Sequence, residues 1–506
     1  RWYVIDVAVG TDIERTAELL ATDPNLEHAM PDLYAFPAVS PNDPYFPNNW
    51  GHDNTAQMPA FDWGGSWSHT GSPVGTVGFD TNARSAWNET QVYGDPSVVI
   101  AILDSGVDVG HPDLLQVPGY DFGDGDNDPD DDSADPGHGT ACAGVAAGVA
   151  DNGLGVAGIA GGCSIMPLKV SDSAGNLAFT YITNAIYHAA DNGADVISMS
   201  FGAATYSVPS TDAALTYAYN AGVVMFAATG NENDSTIGYP AVNANVISVG
   251  AASPCGGRKR SGTASEVNPG VTPDPNGSSC DEERWWGSNY GTTSQDSRFA
   301  VDIIAPTILP TTDIQGNGGY DNGDYSGFFN GTSCATPYAA GVAALVKSKN
   351  PGYGPAQIRA QMTSTAIDIV DVEAGAGWDR YTGYGLVDAA AAVGAVLILP
   401  PTAAFEADVT SGCAPMTVEF TDLTTGAVDT WSWSFGDGGT STQQNPTHTY
   451  TTPGVYDVRL TETGPEGSDM LTVNGYISVG TKPTADFVSG AASGAAPLAV
   501  TVSEAS

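Results

Sequence analysis

With 506 residues, 42% of them hydrophobic, the chain is long enough for two to four separately cored units and too apolar for wholesale disorder. Its 58 Asp and Glu against 15 Lys and Arg leave a net charge of −43, which repels nucleic acid and anionic membranes, attracts divalent cations such as Ca²⁺, and otherwise keeps the surface solvated. No run reaches the ~20 apolar residues that span a bilayer, and the cysteines are spaced for no zinc site.

Trp2 to Val9 alternates as a strand does and Asp12 to Ala21 has helical spacing, so residues 1–38 read as a small α/β piece. The chain starts at Arg1, without Met and in mid-pattern, as a processed or partial N-terminus would. Pro37, Pro41, Pro44 and Pro47 then impose an extended segment. From Val98 to Leu397, apolar runs alternate with helical stretches. Val98 to Leu103 has no polar gap, as expected of a strand buried on both faces; Asp195 to Met199, Val223 to Ala227 and Val246 to Val249 are similar. Helices are expected at Tyr181 to Asn192 and Thr211 to Asn220, and the short apolar stretch Ala389 to Leu399 reads as a buried helix end. This pattern predicts an α/β fold, a doubly wound parallel sheet whose sites gather at the carboxyl ends of the strands. Asp104 and Asn231 each follow such a strand closely.

Pro400-Pro401 opens a different region. Short alternating strands are expected at Thr417 to Thr421, Thr430 to Phe435 and Gly454 to Thr461, with turns such as Gly436 to Gly439, which predicts a β-sandwich. Pro401 to Phe405 recurs as Pro483 to Phe487, and Ala414 to Val418 as Ala496 to Val500, so a second copy begins and stops at Ser506. That copy lacks the strands to close a core and is expected to be poorly ordered. Cys255 and Cys280 share one Gly/Pro/Ser-rich stretch and are expected to form a disulfide if the protein is exported, whereas Cys142 and Cys334 read as buried thiols.

Three segments carry chemistry. Asp104-Ser105-Gly106 ends a buried strand, His138-Gly139-Thr140 opens the small-residue helix Ala141 to Ala147, and Gly331 to Pro337 precedes the apolar helix Tyr338 to Lys347. A serine hydroxyl is a poor nucleophile at neutral pH. An imidazole must take its proton, and a carboxylate must hold that imidazole in the right tautomer. Ser333 at a helix N-terminus has backbone N–H groups and the positive dipole end aimed at a developing oxyanion, and Asn231 can add a side-chain N–H. Singly, a strand-end Asp is more often a cap or turn residue, and His-Gly-Thr more often structural. The four in the order Asp, His, Asn, Ser exclude the chymotrypsin and α/β-hydrolase arrangements, and Ala335 breaks the Gly-x-Ser-x-Gly elbow.

On Ile102 to Asp108, His138-Gly139-Thr140, Ser200-Phe201-Gly202, Gly230-Asn231 and Gly331-Thr332-Ser333, residues 39–398 resemble the subtilisin-like serine protease family, thermitase and proteinase K branch. The order of the triad is recognised from that family rather than deduced. The resemblance implies Ser333 as nucleophile, His138 as general base and then acid, Asp104 as orienter and Asn231 as oxyanion donor. It implies that Ser200-Phe201-Gly202 and Gly175-Asn176-Leu177 line a protein or peptide substrate as backbone strands, and that Gly238 floors an open first specificity pocket with Glu232 at its rim. Ala141 stands where many members have a second His, and Cys142 matches a thiol found behind the histidine. Residues 254–286 are longer than a minimal member needs. Residues 1–38 resemble the C-terminal part of the family's inhibitory propeptide, on Asp23 to Asp32, which implies a secreted precursor inhibited by its own propeptide. Residues 400–481 resemble a PKD-type domain, on Trp431 to Gly438 and His448 to Tyr456, and residues 482–506 a truncated second one. Such a module implies adhesion, spacing or binding of an insoluble substrate or surface, with a passive spacer as the alternative.

Two constellations predict structural Ca²⁺. The loop Asp121 to Asp130 packs carboxylates that repel one another unless a cation intervenes. No Glu closes it as in an EF-hand, but it matches a thermitase-branch calcium loop, implying Asp121, Asp124, Asp126 and Asp130 as side-chain ligands and Asp128 through its carbonyl. Asp43, Asp113 and Asn152 match the family's tight site, completed by carbonyls of Ala150, Leu154 and Val156. In both places the plainer reading is acids that merely belong to the acidic surface. Against an active endopeptidase stand two rivals: an inactive protease scaffold used for adhesion, which no missing catalytic side chain favours, and another acyl hydrolase such as an esterase, which the groove-lining strands disfavour.

Overall fold

A computed structural model describes residues 40–57, 75–90, 93–134, 136–261, 286–371, 373–394, 401–425, 428–464, 467–482, 487–489 and 502–504. The expected strand and helix of residues 1–38, Cys280 and residues 262–285 lie outside the described residues. The described part contains two units, one ending at Ala395 and one starting at Val396.

The uninterrupted apolar runs become the strands of one mixed, mainly parallel sheet. They are β1 (Val99–Asp104), β2 (Tyr120–Asp121), β3 (Ser164–Lys169), β4 (Val196–Met199), β5 (Val224–Ala228), β6 (Val246–Ser253), β7 (Gly257–Arg258) and β8 (Ile303–Pro306). The strand order is β2-β3-β1-β4-β5-β6-β7, with β8 also paired to β6, and every pairing except that of β7 is parallel. Residues of β3, β4, β5 and β6 are buried along their whole length, because helices cover both faces and leave no polar side to alternate. Chain order reverses around β1, with β3 and then β2 on one side of it and β4 on the other. A crevice therefore opens beyond its carboxyl end, where Asp104 sits.

The helices of this unit are α1 (Ala83–Thr90), α2 (His138–Ala147), α3 (Phe179–Asp191), α4 (Pro209–Asn220), α5 (Thr332–Lys349), α6 (Pro355–Ser364) and α7 (Ala389–Gly394), and β9 (Leu309–Thr312) pairs with β10 (Tyr325–Phe329) in a hairpin. The helices expected from periodicity at 181–192 and 211–220 lie within a residue or two of α3 and α4. α5 differs. The apolar stretch expected as helix at Tyr338 to Lys347 lies within it, and the helix begins six residues earlier, at Thr332, and runs through Pro337. It is buried on nearly every side, packed on α2 and on β4, β5 and β6, so its composition of Ala, Gly, Thr and Val reflects close approach on all faces.

The second unit is the expected sandwich. One sheet is β11 (Phe405–Ala407), β13 (Met416–Asp422) and β16 (Thr447–Tyr450). The other is β12 (Ser411–Cys413), β18 (Gly467–Gly480), β17 (Gly454–Gly464), β14 (Thr430–Ser434) and β15 (Thr440–Ser441). Its core is its own, built on Val418, Phe420, Trp433, Phe435, Tyr450, Val458, Leu460, Ile477 and Val479. Of the second repeat, one antiparallel pair is described, β19 (Phe487–Ser489) with β20 (Val502–Glu504).

Candidate active site

Asp104 at the end of β1, His138 and Ser333 at the starts of α2 and α5, and Asn231 in the loop just after β5 gather at the carboxyl edge of the sheet. β1 delivers Asp104, whose Oδ1 accepts from the Ser105 N–H at 2.8 Å and from His138 Nδ1–H at 2.6 Å. His138 is the first residue of α2, and its side chain is 31% exposed, while that of Asp104 is 6% exposed. Burial disfavours the imidazolium, but the neighbouring Asp104 carboxylate outweighs it and holds the His138 pKa above the ordinary imidazole value. The fixed Nδ1–H leaves Nε2 as the ring's basic nitrogen.

The N-cap of α2 is Gly137, which has no side chain to satisfy the first helical amides. Asp131 does so from a distance: its Oδ2 accepts from Thr140 N at 3.1 Å and from Thr140 Oγ1 at 2.8 Å. The Thr140 hydroxyl oxygen in turn accepts from Asp108 N at 2.9 Å, and Ser105 Oγ accepts from Gly139 N at 2.9 Å. The turn that carries His138 is thus pinned at both following residues.

Ser333 is the second residue of α5, so its N–H is one of the amides without an intrahelical partner. Its hydroxyl donates to the Ser200 carbonyl at 3.2 Å. Pro337 has no N–H for the carbonyl four residues before it, which is that of Ser333. That carbonyl accepts instead from Ser200 Oγ at 2.9 Å and from the Cys142 thiol at 3.6 Å. Cys142 also lies 3.7 Å from Asp104 Oδ2, and burial pushes its pKa up to about 11, so it is a protonated packing group beneath the site. Cys334 is fully buried as well.

Asn231 spends its Oδ1 on Thr332, accepting from the backbone N–H at 2.8 Å and from Oγ1 at 2.9 Å. Its Nδ2 is therefore the end free to donate beside Ser333. A cleft of about 400 Å³ adjoins, lined among others by Ser200, Phe201, Gly202, Glu232, Gly238 and Ser333. Gly238 sits against Ala203, where an antiparallel bridge joins Ala203 and Tyr239, so a side chain there would meet backbone within van der Waals range. Asn289, which the sequence does not mark, clasps the cleft wall. Its Oδ1 accepts from Glu232 N and Asp234 N, and its Nδ2 donates to Glu232 Oε2 at 2.6 Å and Thr236 O at 2.8 Å. Asp234 and Thr236 also line the cleft, so it carries two acids where the sequence marks one. Gly175, Asn176 and Leu177 lie beyond the end of β3 in a turn closed by a Ser171–Leu177 bridge, with Asp172 accepting from the Asn176 amides.

The two acidic constellations differ in geometry. Asp43 and Asp113 are both buried and share Asn152: Asp113 Oδ1 accepts from its Nδ2 at 2.7 Å, and Asp43 from its backbone N–H at 3.4 Å. Burial pushes the pKa of Asp113 up to about 6 and raises that of Asp43; the Asp43 charge adds to the shift of Asp113, and the Asp151 charge to that of Asp43. Two buried carboxylates at one place, against the loop that contains Ala150, Leu154 and Val156, fit an oxygen-ligated cation. In the other loop, Asp121 accepts from the amides of Gly123 and Asp124 and pairs with the buried Lys169 ammonium at 3.2 Å, which also pairs with Asp132. Asp130 accepts from Val109 N, Asp126 from Asp128 N, and Asp124, Asp126 and Asp128 are exposed. These acids do not converge on one point, so a cation there requires the loop to rearrange.

Cys255 is disulfide-bonded; Cys280, its expected partner, lies outside the described residues. No helix among the described residues is long and apolar enough to cross a membrane.

Residues 95–385 match the subtilase family, Peptidase S8, and residues 399–479 match the PKD domain. A thermophilic serine proteinase of Bacillus sp. strain AK1 is 32% identical over 385 residues, 76% of each chain. Thermitase of Thermoactinomyces vulgaris is 35% identical over 314 residues, 62% of this chain and 92% of its own, and subtilisin E of Bacillus subtilis is 34% identical over 307 residues, 60% and 67%. A solved protease structure from Pseudoalteromonas arctica superposes with a TM-score of 0.52 at 27% identity, covering 70% of this chain and 99% of that one. The sheet order, the strand-end site and these matches agree: the chain belongs to the subtilase family of serine endopeptidases.

Proposed function

We propose that this endopeptidase acts by acyl transfer through Ser333, His138, Asp104 and Asn231, and that it is a secreted, calcium-stabilised enzyme made as a precursor inhibited by residues 1–38. The carrying observation is the 2.6 Å Asp104–His138 contact beside a serine at the N-terminus of a buried helix. In the reaction, the Ser333 hydroxyl turns from the Ser200 carbonyl to His138 Nε2, gives it the proton and attacks the scissile carbonyl carbon. The imidazolium is held by Asp104. The oxyanion accepts from Asn231 Nδ2–H and Ser333 N–H, donors fixed before the charge develops. Collapse breaks the C–N bond, His138 protonates the leaving amine, and the acyl group stays on Ser333. Water, deprotonated by His138, then releases the acid and restores the hydroxyl.

Gly238 leaves the first specificity pocket open to large apolar or aromatic side chains, and Glu232 and Asp234 on its wall add tolerance for Lys or Arg. A cleavage profile restricted to Gly and Ala before the scissile bond contradicts this. Ca²⁺ bound by Asp43, Asp113 and Asn152 would supply charge neutralisation to a buried acidic pocket and tie the segment at Asp43 to the loop after α2; the 121–130 loop is the second proposed site. Domain limits follow the sequence reading, with residues 39–398 catalytic and 400–481 a PKD-type module for an insoluble substrate or surface. The deciding experiment compares wild type with Ser333→Ala. The wild type is expected to label with a fluorophosphonate and digest casein, and the variant to do neither while keeping its fold, a loss on the order of 10⁶ in kcat. Wild-type-like proteolysis by the variant rejects the assignment, and N-terminal sequencing of the active form tests the processing.

A further inference from the structure

In the C-terminal unit the inward-facing positions of β17 read Val458, Leu460, Glu462 and Gly464. A carboxylate thus ends a row of core side chains. Glu462 is 0% exposed, and neither side-chain oxygen has a hydrogen-bond partner. Burial pushes its pKa up to about 7; the neighbouring Asp422 carboxyl adds to the shift, and the nearby Thr424 and Trp431 side chains oppose it without making a hydrogen bond of good geometry. Ladder register shows what surrounds it. Trp431 of β14 stands opposite Glu462 on one side and Asp469 of β18 on the other. The Trp431 Nε1–H donates to Asp422 Oδ2 at 2.9 Å, so Asp422, from the facing sheet, reaches the same end of the sandwich. The other acids there are supplied with donors. Asp422 also accepts from Thr424 N and Gln444 Nε2, and Asp469 accepts from Ala403 N at 2.8 Å. The one arginine of β17, Arg459, is exposed on the opposite face and offers no countercharge.

We propose that Glu462 and Asp422 anchor a calcium site at this end of the sandwich, distinct from the sites proposed in the catalytic unit. Two carboxylates are hard oxygen donors, and Ca²⁺ accepts irregular sets of 6–8 oxygens, which water and backbone carbonyls complete. Asp469, one cross-strand step away, adds negative potential. A cation there gives Glu462 the partner it lacks and ties β17 in one sheet to β13 in the other.

The competing explanation is a proton shared by the two carboxyl groups. The test uses the full chain carrying Ser333→Ala, to prevent self-digestion, with Glu462→Gln and Asp422→Asn added singly. Bound calcium is counted by equilibrium dialysis, and Tb³⁺ luminescence is read with tryptophan excitation, Trp431 being the antenna beside the site. Each variant is expected to bind one calcium fewer per chain and to lose one Tb³⁺ component. Without calcium, Glu462→Gln is expected to raise the melting temperature of the C-terminal unit, because it removes an uncompensated charge; with calcium it is expected to lower it relative to the parent. Unchanged calcium stoichiometry in both variants overturns the proposal. So does a Glu462→Gln melting temperature lowered equally with and without calcium, the result expected of a shared proton.

Discussion

Pro337 and Ser333 illustrate how a single missing N–H shapes the site. The carbonyl that Pro337 cannot hold is taken by Ser200 Oγ and the Cys142 thiol, which fixes the backbone of Ser333 at the edge of the cleft. Ser200→Ala should therefore lower kcat about tenfold, the worth of one hydrogen bond, with little change in KM. Steady-state kinetics on a peptide substrate would show it, and a change confined to KM would assign Ser200 to substrate binding alone. Asn231→Leu should cost more, about 10²–10³ in kcat, because in the proposed reaction its N–H acts only as the oxyanion forms. His52 supplies a pH prediction. It is buried between the Tyr338 hydroxyl and the Ala157 carbonyl, and burial lowers its pKa to about 4. The unfolded chain takes up this proton near pH 6.5 and the folded chain only near 4, so the stability is present above 6.5 and is lost as pH falls toward 4. The loss amounts to roughly 3 kcal/mol. The melting temperature of His52→Gln should fall less steeply than that of the parent over that window; parallel curves would show that His52 titrates normally.

At the scale of elements, α2 depends on an acid that is not its neighbour. With Gly137 as N-cap, Asp131 performs the capping through Thr140. Asp131→Ala should cost about 1–2 kcal/mol of stability and reduce kcat more than it raises KM, since the turn it holds carries His138. Asp131→Asn should recover most of both, because an amide oxygen can still accept from Thr140 N. Equal effects of Ala and Asn would point to the charge rather than the cap.

At a net charge of −43 the whole molecule attracts divalent cations, and the proposed calcium sites would add to its stability. Chelation should lower the melting temperature and speed self-digestion, with Ca²⁺ restoring both, since a ligand at a hundredfold excess over Kd contributes ~2.7 kcal/mol. Unchanged melting and autolysis in EDTA, together with metal analysis that finds no calcium, would remove the cation from the account. The two cores are separate sets of residues, so Trp433→Ala should cost the C-terminal unit about 3–5 kcal/mol while leaving kcat on a short peptide unchanged. Thermal unfolding and peptide turnover of the same variant check both parts.

What the sequence determined by itself is whatever is encoded locally. A gap-free apolar run such as Val98 to Leu103 reads as a strand covered on both faces, and such strands present their carboxyl ends to a crevice, so the sequence places Asp104 at a strand end facing one, while its proposed catalytic role comes from the family resemblance. The positions of His138-Gly139-Thr140 and Gly331-Thr332-Ser333 at helix starts are legible in the same way, because a helix start is a local event, while their proposed roles come from the resemblance. The apolar stretch Tyr338 to Lys347 marks only part of α5, which runs on through Pro337 to Thr332, the Ser333 carbonyl being held by Ser200 and Cys142 from elsewhere. The tertiary structure alone decided which distant groups complete each other. Asn289 clasps Glu232 across 57 positions, and Lys169 reaches Asp132 across 37. Glu462 becomes an unpartnered core carboxylate only when β17 takes its register between β14 and β18. Such pairings are set by strand order and burial, which depend on the packing of the whole sheet, and residue spacing along the chain carries no trace of them.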